Sequence, residues 1–363
     1  MSGGLLLTGG TGFLGMELIG RLLESGDGPD IFLAVRARDA GGARARVDEI
    51  VARLYDNPPE SVERLRPVAA ELTAPGLAMG ADDRADLIAQ VDRVIHCAAS
   101  ISFTLPLEEA REINVEGTQE VMDLARELPH LERFVHVSTA YVAGRSPTFF
   151  AEDDIGGGDF RNTYEQTKLE AEIAVAAADD LPSAIVRPSI VVGESESGWT
   201  SAFNVLYWPL QAFTRGLLST VPADPEGVVD MVPVDHVAEV IERAAFAPEA
   251  SGRFHAVAGE RSVTVAELIE EICRLMDRPV PTLSEPGTLP TDHPAGIFAA
   301  YFDVKTRFDD RRGRELAGAA PEPFEYLPRV LDFAREARWG KRSISREAAR
   351  SGAGVDAAQT AST

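Results

Sequence analysis

Residues 8–15 read TGGTGFLG, between a short apolar run and an amphipathic run that continues to Leu23. This order predicts a buried strand, a glycine turn and a helix, which is the setting of a dinucleotide-binding fingerprint. Gly9 permits the tight turn, Gly12 lets the backbone approach a pyrophosphate, and Gly15 lets the helix pack closely against the strand. The free N–H groups at the helix N-terminus would then bind phosphate oxygens.

Beyond this turn, apolar strand-like runs alternate with amphipathic helical runs as far as Pro188. Such alternation predicts an α/β fold in which a parallel sheet carries helices on both faces. The pattern is looser after Pro188, although further segments remain clear. The predicted strands are residues 5–8, 31–35, 93–96, 134–137, 184–186 and 253–257, and the predicted helices are residues 13–23, 43–54, 107–128, 235–245, 264–276 and 329–339.

The composition is that of a folded protein with an acidic surface. The 363 residues include 35 Lys and Arg against 58 Asp and Glu, which gives a formal net charge of −23. Nucleic acid and anionic membranes need a basic surface, so neither is expected as the main partner. Cys97 and Cys273 are too few for a disulfide framework, and six scattered histidines lack metal-ligand spacing. We therefore expect no metal site.

No targeting or membrane segment is predicted. The N-terminus has no basic region ahead of its short apolar stretch, unlike a signal peptide. The longest uncharged run, residues 197–214, contains Asn204, Pro209 and Gln211 and is too polar for a membrane span. We therefore expect a cytoplasmic protein without an integral membrane segment.

Arginines occupy the end of the second predicted strand. An NAD enzyme usually has an acidic residue there, which binds the ribose 2′-hydroxyl, whereas this chain has Arg36 and Arg38. Guanidinium groups suit a 2′-phosphate, which favours NADPH over NADH. The alternative is that both are solvated surface residues in a chain with 32 arginines and three lysines.

A second motif, YEQTK, spans Tyr164 to Lys168 and places a phenol and an ammonium on one helical face. An ammonium beside a tyrosine is expected to lower the phenol pKa from its usual value of about 10, so the pair could transfer a proton during hydride transfer. A hydroxyl partner is expected from Ser138 or Thr139, where a buried strand ends. Tyr301 and Lys305 repeat the spacing, but no strand ending in Ser-Thr precedes them, so the first copy is preferred.

The order of TGGTGFLG, HCAAS, NVEGT, VSTAYV, YEQTK and VRPSIVVGES resembles the extended short-chain dehydrogenase/reductases over residues 4–338. Within them the chain is most similar to the fatty acyl-CoA reductase and carrier-protein thioester reductase branch, the male sterility type. The resemblance implies a Rossmann-like doubly wound parallel sheet with a smaller C-terminal substrate-binding domain. The segments that carry the narrower match are residues 96–100, 114–118, 138–142 and 187–193.

The implied domain organisation divides the chain into three parts. An NADP-binding Rossmann domain would cover residues 1–193 and return at about 228–258. The substrate-binding part would comprise residues 194–227 and 259–339. Residues 340–363 are small, polar and without periodicity, so a disordered tail is predicted there.

The resemblance also assigns roles to single residues. Thr139, rather than Ser138, would be the catalytic hydroxyl and Tyr164 the acid/base, and Lys168 would lower the tyrosine pKa and bind the nicotinamide ribose. Glu71 departs from the aspartate that the family often has near the adenine. The implied cofactor contacts are Thr8, Gly9, Thr11, Gly12, Phe13, Leu14, Gly15, Arg36, Arg38, Glu71, Leu72, Ala98, Ala99, Asn114, Tyr164, Lys168, Pro188, Ser189 and Ile190.

The implied reaction is NADPH-dependent reduction of an acyl thioester, of CoA or of a carrier protein, to an aldehyde or by a second reduction to an alcohol. Three alternatives stay open: an NADP-dependent ketone or secondary-alcohol dehydrogenase, a nucleotide-sugar epimerase, and a non-catalytic NADP-binding regulator. Cys97 is interpreted as a packing residue rather than a nucleophile. Chain length, the choice of thiol carrier and a homodimeric state are left open by the sequence.

Two further segments have competing interpretations. The aromatic segment 199–218 is either the core of the smaller domain or the wall of a channel for an apolar chain. Four arginines in residues 307–314 are either a docking patch for the substrate's carrier or members of surface ion pairs. The aromatic side chains are Trp199, Phe203, Tyr207, Trp208 and Phe213, and the arginines are Arg307, Arg311, Arg312 and Arg314.

Overall fold

A computed structural model describes residues 3–145, 148–203, 207, 210–211, 219–285, 301 and 303–352. Seven strands form one parallel sheet: β1 (Gly4–Thr8), β2 (Ile31–Arg36), β3 (Leu65–Ala70), β4 (Val91–His96), β5 (Arg133–Val137), β6 (Ser183–Pro188) and β7 (Gly252–Ala256). Their spatial order is β3-β2-β1-β4-β5-β6-β7. This is the doubly wound dinucleotide-binding order, with its reversal between β1 and β4. The predicted fold is confirmed.

Helices cover both faces of the sheet. They are α1 (Phe13–Glu24), α2 (Ala40–Leu54), α3 (Ala81–Gln90), α4 (Leu107–Arg111), α5 (Gly117–Arg126), α6 (Thr163–Ala176), α7 (Val234–Phe246), α8 (Val265–Met276), α9 (Arg311–Ala317), α10 (Pro323–Glu336) and α11 (Arg346–Ser351). Leu5 and Leu7 face the layer of α1, α2 and α7, whereas Leu6 faces the layer of α3, α5 and α6. All three leucines are fully buried, and each contributes about 1.5–3 kcal/mol to folding.

All six predicted strands are confirmed, each within two residues of its observed bounds. The strand β3 was not predicted, because Arg66 and Pro67 interrupt its apolar pattern at the edge of the sheet. The helix α2 begins at Ala40 rather than after the glycine pair, since the Asp39 side chain accepts a hydrogen bond of 2.8 Å from the Gly42 N–H and caps it. The predicted capping box of α8, Thr264 with Glu267, is present.

A second, smaller hydrophobic core lies beside the sheet. It is formed by α8, α10 and short strands, of which Met231–Pro233 pairs with Ile190–Val192. Tyr207 is buried in this second core, whereas Trp199 is buried in the main core beside the sheet, and Phe203 packs against both cores. Trp208 and Phe213 lie outside the described residues. The predicted domain boundaries at residues 193, 227 and 258 stay a prediction.

The prediction of a disordered C-terminal tail was wrong for α11 and for the short segment before it. Arg346 on this helix is 1% exposed, and its Nε and Nη2 each donate to the Glu17 carboxylate at 2.7 Å. Charged residues that pair across the chain leave no apolar periodicity in the sequence, which explains the error. The remainder of the predicted tail, residues 353–363, lies outside the described residues. Across the described ranges, no helix combines the length and apolarity that a bilayer crossing requires.

Candidate active site

A cavity of about 1250 Å³ runs along the carboxyl ends of the central strands. This position, at the reversal of strand order, is where open α/β sheets bind ligands. Two of the predicted cofactor contacts, Arg38 and Asn114, do not line it. The predicted contacts that do line it are Thr8, Gly9, Thr11, Gly12, Phe13, Leu14, Gly15, Arg36, Glu71, Leu72, Ala98, Ala99, Tyr164, Lys168, Pro188, Ser189 and Ile190.

The glycine turn fits a dinucleotide pyrophosphate. Gly9 has φ of +77°, and a Cβ there would meet the backbone of Cys97 and Ala98 at 2.6 Å, so only glycine is tolerated. Gly12 borders the cavity and precedes the first turn of α1, which has no side-chain cap and no acidic residue. The first N–H groups of α1 are therefore free to bind an anion.

Two arginines lie at the end of the cavity where β2 stops. Arg36 is the last residue of β2, and Arg46 on α2 lines the same end. Neither has an ion-pair partner within the described part of the chain. Arg46 was not predicted from the sequence, because it lies ten positions after the strand end and only the course of α2 returns it to the cavity.

The Thr139 and Tyr164 hydroxyls meet on the opposite side of the reversal. Thr139 follows β5; its hydroxyl accepts a hydrogen bond of 3.3 Å from the Tyr141 N–H, donates one of 3.3 Å to the Pro188 carbonyl, and lowers the pKa of the neighbouring Tyr164 phenol. Tyr164 lies in the first turn of α6, which Asn162 caps by accepting a hydrogen bond of 3.0 Å from the Glu165 N–H. Strand end and helix start are thus each fixed by a local cap.

Ser138 has a different role from Thr139. Its hydroxyl donates to Glu172 at 2.8 Å, and this buried carboxylate is also bound by the guanidinium groups of Arg187 and Arg253. The Ser138 side chain is therefore committed to a buried ionic network, which supports the preference for Thr139 as the reactive hydroxyl.

The expectation that Lys168 lowers the pKa of Tyr164 was wrong. Burial raises the pKa of Tyr164 to about 12, and only the hydrogen bond with Thr139 opposes that rise appreciably. The Lys168 Nζ instead lies 3.2 Å from Nε2 of His136. Burial also lowers the pKa of Lys168 to about 8. Helical spacing placed both side chains on one face but did not determine which neighbour the ammonium contacts.

Asn114 braces the site from outside the cavity. The predicted helix 107–128 contains a π-helical turn at Glu112–Glu116, a distortion that is frequent near functional sites. From this turn the Asn114 side chain accepts from the Ser100 N–H at 2.7 Å and donates to the Thr167 hydroxyl at 3.0 Å. It thereby ties the loop after β4 to α6, so Asn114 braces the site and does not line the cavity as a cofactor contact.

The second copy of the tyrosine–lysine spacing is not a second relay. Lys305 forms an ion pair with Asp224, whereas Tyr301 lines the cavity. The Tyr301 hydroxyl donates to Glu165 at 2.9 Å and accepts from the Asn162 amide at 2.9 Å. Tyr301 is therefore a wall residue beside the start of α6, which its sequence context did not indicate.

The structure favours a packing role for Cys97 and surface contacts, in place of a docking patch, for the C-terminal arginines. Burial raises the pKa of the Cys97 thiol to about 11, which keeps it protonated and poorly nucleophilic at neutral pH. The four arginines of residues 307–314 are engaged by neighbouring side chains. The contacts are Arg311 to Asp309 at 3.9 Å, Arg312 to Asp153 at 2.9 Å, Arg314 to Asp310 at 3.7 Å, and Arg307 to the Ser262 hydroxyl at 3.1 Å.

The NAD-binding family described as Male sterility protein matches residues 7–241. The chain belongs to this family. Fatty acyl-CoA reductase 1 of Xenopus laevis is 32% identical over 278 residues, which are 67% of this chain and 54% of that protein. The Homo sapiens protein of the same name is 33% identical with the same coverage. The chain thus spans about half the length of these relatives.

Solved structures agree on the fold. The terminal R domain from the myxalamid PKS-NRPS biosynthetic pathway matches with a TM-score of 0.79 at 23% identity, over 95% of this chain and 93% of that one. A thiolation-reductase di-domain from an archaeal non-ribosomal peptide synthetase matches with a TM-score of 0.75 at 21% identity, over 93% of this chain and 76% of that one. WbmG of Bordetella bronchiseptica, in complex with NAD and UDP, matches with a TM-score of 0.69 at 18% identity, over 95% of this chain and 97% of that one. The family model confirms the predicted family, and these structures confirm the predicted fold.

Proposed function

We propose that this protein uses NADPH to reduce an acyl thioester to a thiol and an aldehyde. One observation carries the proposal: a single cavity brings together the glycine turn, an arginine pair and the Thr139–Tyr164–Lys168 group. That arrangement occurs in a family whose similar members are named fatty acyl-CoA reductases. The cavity volume exceeds that of a typical small-ligand pocket, so cofactor and substrate can share it.

The cofactor would lie across the strand reversal. The N-terminus of α1 would bind its pyrophosphate, and Arg36 and Arg46 would bind the 2′-phosphate that distinguishes NADPH. Pro188, Ser189 and Ile190, which follow the end of β6, would hold the carboxamide end. When bound, the nicotinamide supplies the hydride.

The hydroxyls of Thr139 and Tyr164 would act on the carbonyl oxygen of the substrate. The Tyr164 phenol can donate a hydrogen bond to an oxygen that gains negative charge as the carbon is reduced, and the Thr139 hydroxyl can do so by turning away from the Pro188 carbonyl. With a pKa of about 12, the Tyr164 phenol is protonated at neutral pH, so it can supply the proton from Oη. Lys168 would add a positive charge near the same oxygen and bind the nicotinamide ribose.

The wall beside Tyr164 is apolar enough for an acyl chain. Phe103 lies 5.9 Å from the Tyr164 ring and 5.4 Å from the Tyr301 ring, measured between ring centroids. Tyr141 and Ile101 line the same region. This wall takes the place of the aromatic segment 199–218, whose described members Trp199, Phe203 and Tyr207 do not line the cavity.

Replacing either Arg36 or Arg46 by leucine is expected to raise the Kd for NADPH about 10- to 150-fold and to change the Kd for NADH little. This ratio corresponds to the free energy of one hydrogen bond to a charged group. Fluorescence titration of both cofactors measures the two affinities. Arg38→Leu is the matched control, because Arg38 is an exposed arginine of the same segment that does not line the cavity. Equal losses for NADPH and NADH would contradict the 2′-phosphate assignment.

Acyl-CoAs of increasing length are expected to bind progressively more tightly, because each buried methylene contributes about 0.8 kcal/mol. The measurement is the rate of NADPH oxidation with acyl-CoAs, with the matching aldehydes and with a panel of cyclic ketones. Turnover of thioesters with KM falling along the series supports the proposal. Turnover of ketones alone would instead assign a secondary-alcohol dehydrogenase, and tight NADPH binding without any oxidation would assign a regulator.

A further inference from the structure

A buried histidine contacts the lysine of the proposed site. His136 is fully buried on β5, in the centre of the sheet, and its Nε2 lies 3.2 Å from the Lys168 Nζ. Its Nδ1 is buried and finds no hydrogen-bond partner among the described residues. Neither the cofactor contacts nor the proton donor proposed above makes use of this side chain.

The imidazole is neutral at physiological pH. Burial lowers the pKa of His136 well below its ordinary value, and the positive charge of Lys168 lowers it further. His96, whose ring centroid is 5.5 Å from that of His136, has a pKa of about 3 for the same reasons. A neutral imidazole can accept through Nε2 if its proton is on Nδ1, so the Lys168 ammonium is the donor in this contact.

Other groups around Lys168 do not replace this acceptor. Cys97, from the end of β4, is a neutral thiol because its pKa is about 11. Glu172, one turn further along α6, favours the ammonium electrostatically, but its oxygens bind Ser138, Arg187 and Arg253. Within the described part of the chain, the His136 Nε2 is the hydrogen-bond acceptor that the Lys168 Nζ contacts.

We propose that His136 is a positioning residue for Lys168: its imidazole holds the ammonium at the cavity floor and stabilises the protonated lysine where burial would otherwise discharge it. The ammonium has three donor hydrogens, so one can bind His136 while the others stay available to the cavity. Accepting a hydrogen bond from the charged form favours that form. The effect on Lys168 is independent of the reaction, whereas its effect on turnover rests on the proposed function.

The chain offers a direct measurement, because Lys168, Lys305 and Lys341 are its only lysines. Protein labelled with ¹³C-lysine gives three Cε signals by NMR, and the signal absent from Lys168→Arg is that of Lys168. Its titration midpoint is expected near 8 in the unsubstituted protein. His136→Phe keeps a ring but removes the acceptor, and should lower the midpoint by about one to two pH units.

Two further variants separate positioning from packing. His136→Gln restores an acceptor oxygen and should recover most of the shift. Phe134→Leu removes core volume two residues earlier, on the same face of β5, without touching Lys168, and should leave the midpoint unchanged. If His136→Phe does not fold, His136→Leu provides the same test. A folded variant without the acceptor whose Lys168 midpoint equals that of the unsubstituted protein would overturn the inference.

Activity gives a second, separable readout. If the proposed function holds, the alkaline limb of kcat/KM should move to lower pH in His136→Phe, by the same amount as the NMR midpoint, because deprotonated Lys168 no longer supports the reaction. Absence of thioester reduction by the unsubstituted protein would contradict the proposed function but would leave the Lys168 titration to decide the role of His136. An NMR shift without a matching shift in the kcat/KM profile would overturn the catalytic part of the inference.

Discussion

Replacing Tyr164 by phenylalanine is expected to lower kcat at least about 100-fold, the effect of losing a general acid, while the Kd for NADPH stays nearly unchanged. The phenol is the proton donor in the proposed reaction, whereas its ring packs 5.9 Å from Phe103 and would remain in place. Steady-state NADPH oxidation with an acyl-CoA measures kcat. Fluorescence titration of the cofactor shows whether the site is still formed.

Tyr301→Phe is the matched control for this prediction. It removes a hydroxyl from the same cavity wall, one that contacts Glu165 and Asn162 rather than Thr139. We expect kcat to stay within about tenfold, because this hydroxyl does not donate the transferred proton. Loss of turnover in Tyr301→Phe with full turnover in Tyr164→Phe would show that the relay was assigned to the wrong tyrosine.

Arg346→Met is expected to lower the free energy of unfolding by about 3–5 kcal/mol, because it leaves the buried Glu17 carboxylate with only the longer, 3.8 Å contact to Arg350. Glu17 is fully buried on α1 and receives both 2.7 Å contacts from Arg346. Chemical denaturation at pH 7 measures the loss. Arg335→Met serves as control, since Arg335 and Asp332 form an exposed pair at 3.7 Å that is worth at most about 1 kcal/mol.

The loss in Arg346→Met should depend on pH in a defined direction. Burial already raises the pKa of Glu17 from 4.5, and removal of the guanidinium raises it further. The penalty is therefore complete above the raised folded-state pKa of Glu17 and shrinks as pH falls toward 4.5. The double variant Glu17→Leu/Arg346→Met should recover much of the stability at pH 7, since neither charge is then buried. A pH-independent loss would indicate packing rather than charge.

The sheet could be predicted because burial on both faces requires continuous apolar strands, and a glycine turn marks the first crossover. The edge strand β3 escaped prediction for the same reason, since an edge tolerates Arg66 and Pro67. The helix α11 escaped because its stability comes from ion pairs with residues more than 300 positions earlier. The local sequence pattern does not indicate such distant partners.

Some residues of the candidate site could likewise be predicted from the sequence, and others could not. Residues that belong to a spaced motif, such as Tyr164 with Lys168, could be identified because their chemistry depends on neighbours in the sequence. Arg46, Tyr301 and His136 are single residues on separate elements, and only the packing of those elements brings them to the cavity or its floor. The ionisation of Tyr164 was mispredicted because burial, which the sequence does not specify, outweighs the helical proximity of an ammonium.

The pairing of Glu17 with Arg346 has a consequence for the order of folding. The two residues are 329 positions apart, and a chain emerging from the ribosome folds from its N-terminal part first. The strands and α1 can therefore assemble while the Glu17 carboxylate still lacks its guanidinium. The cofactor-binding end of the molecule should accordingly reach its final stability only after residue 346 has been synthesised.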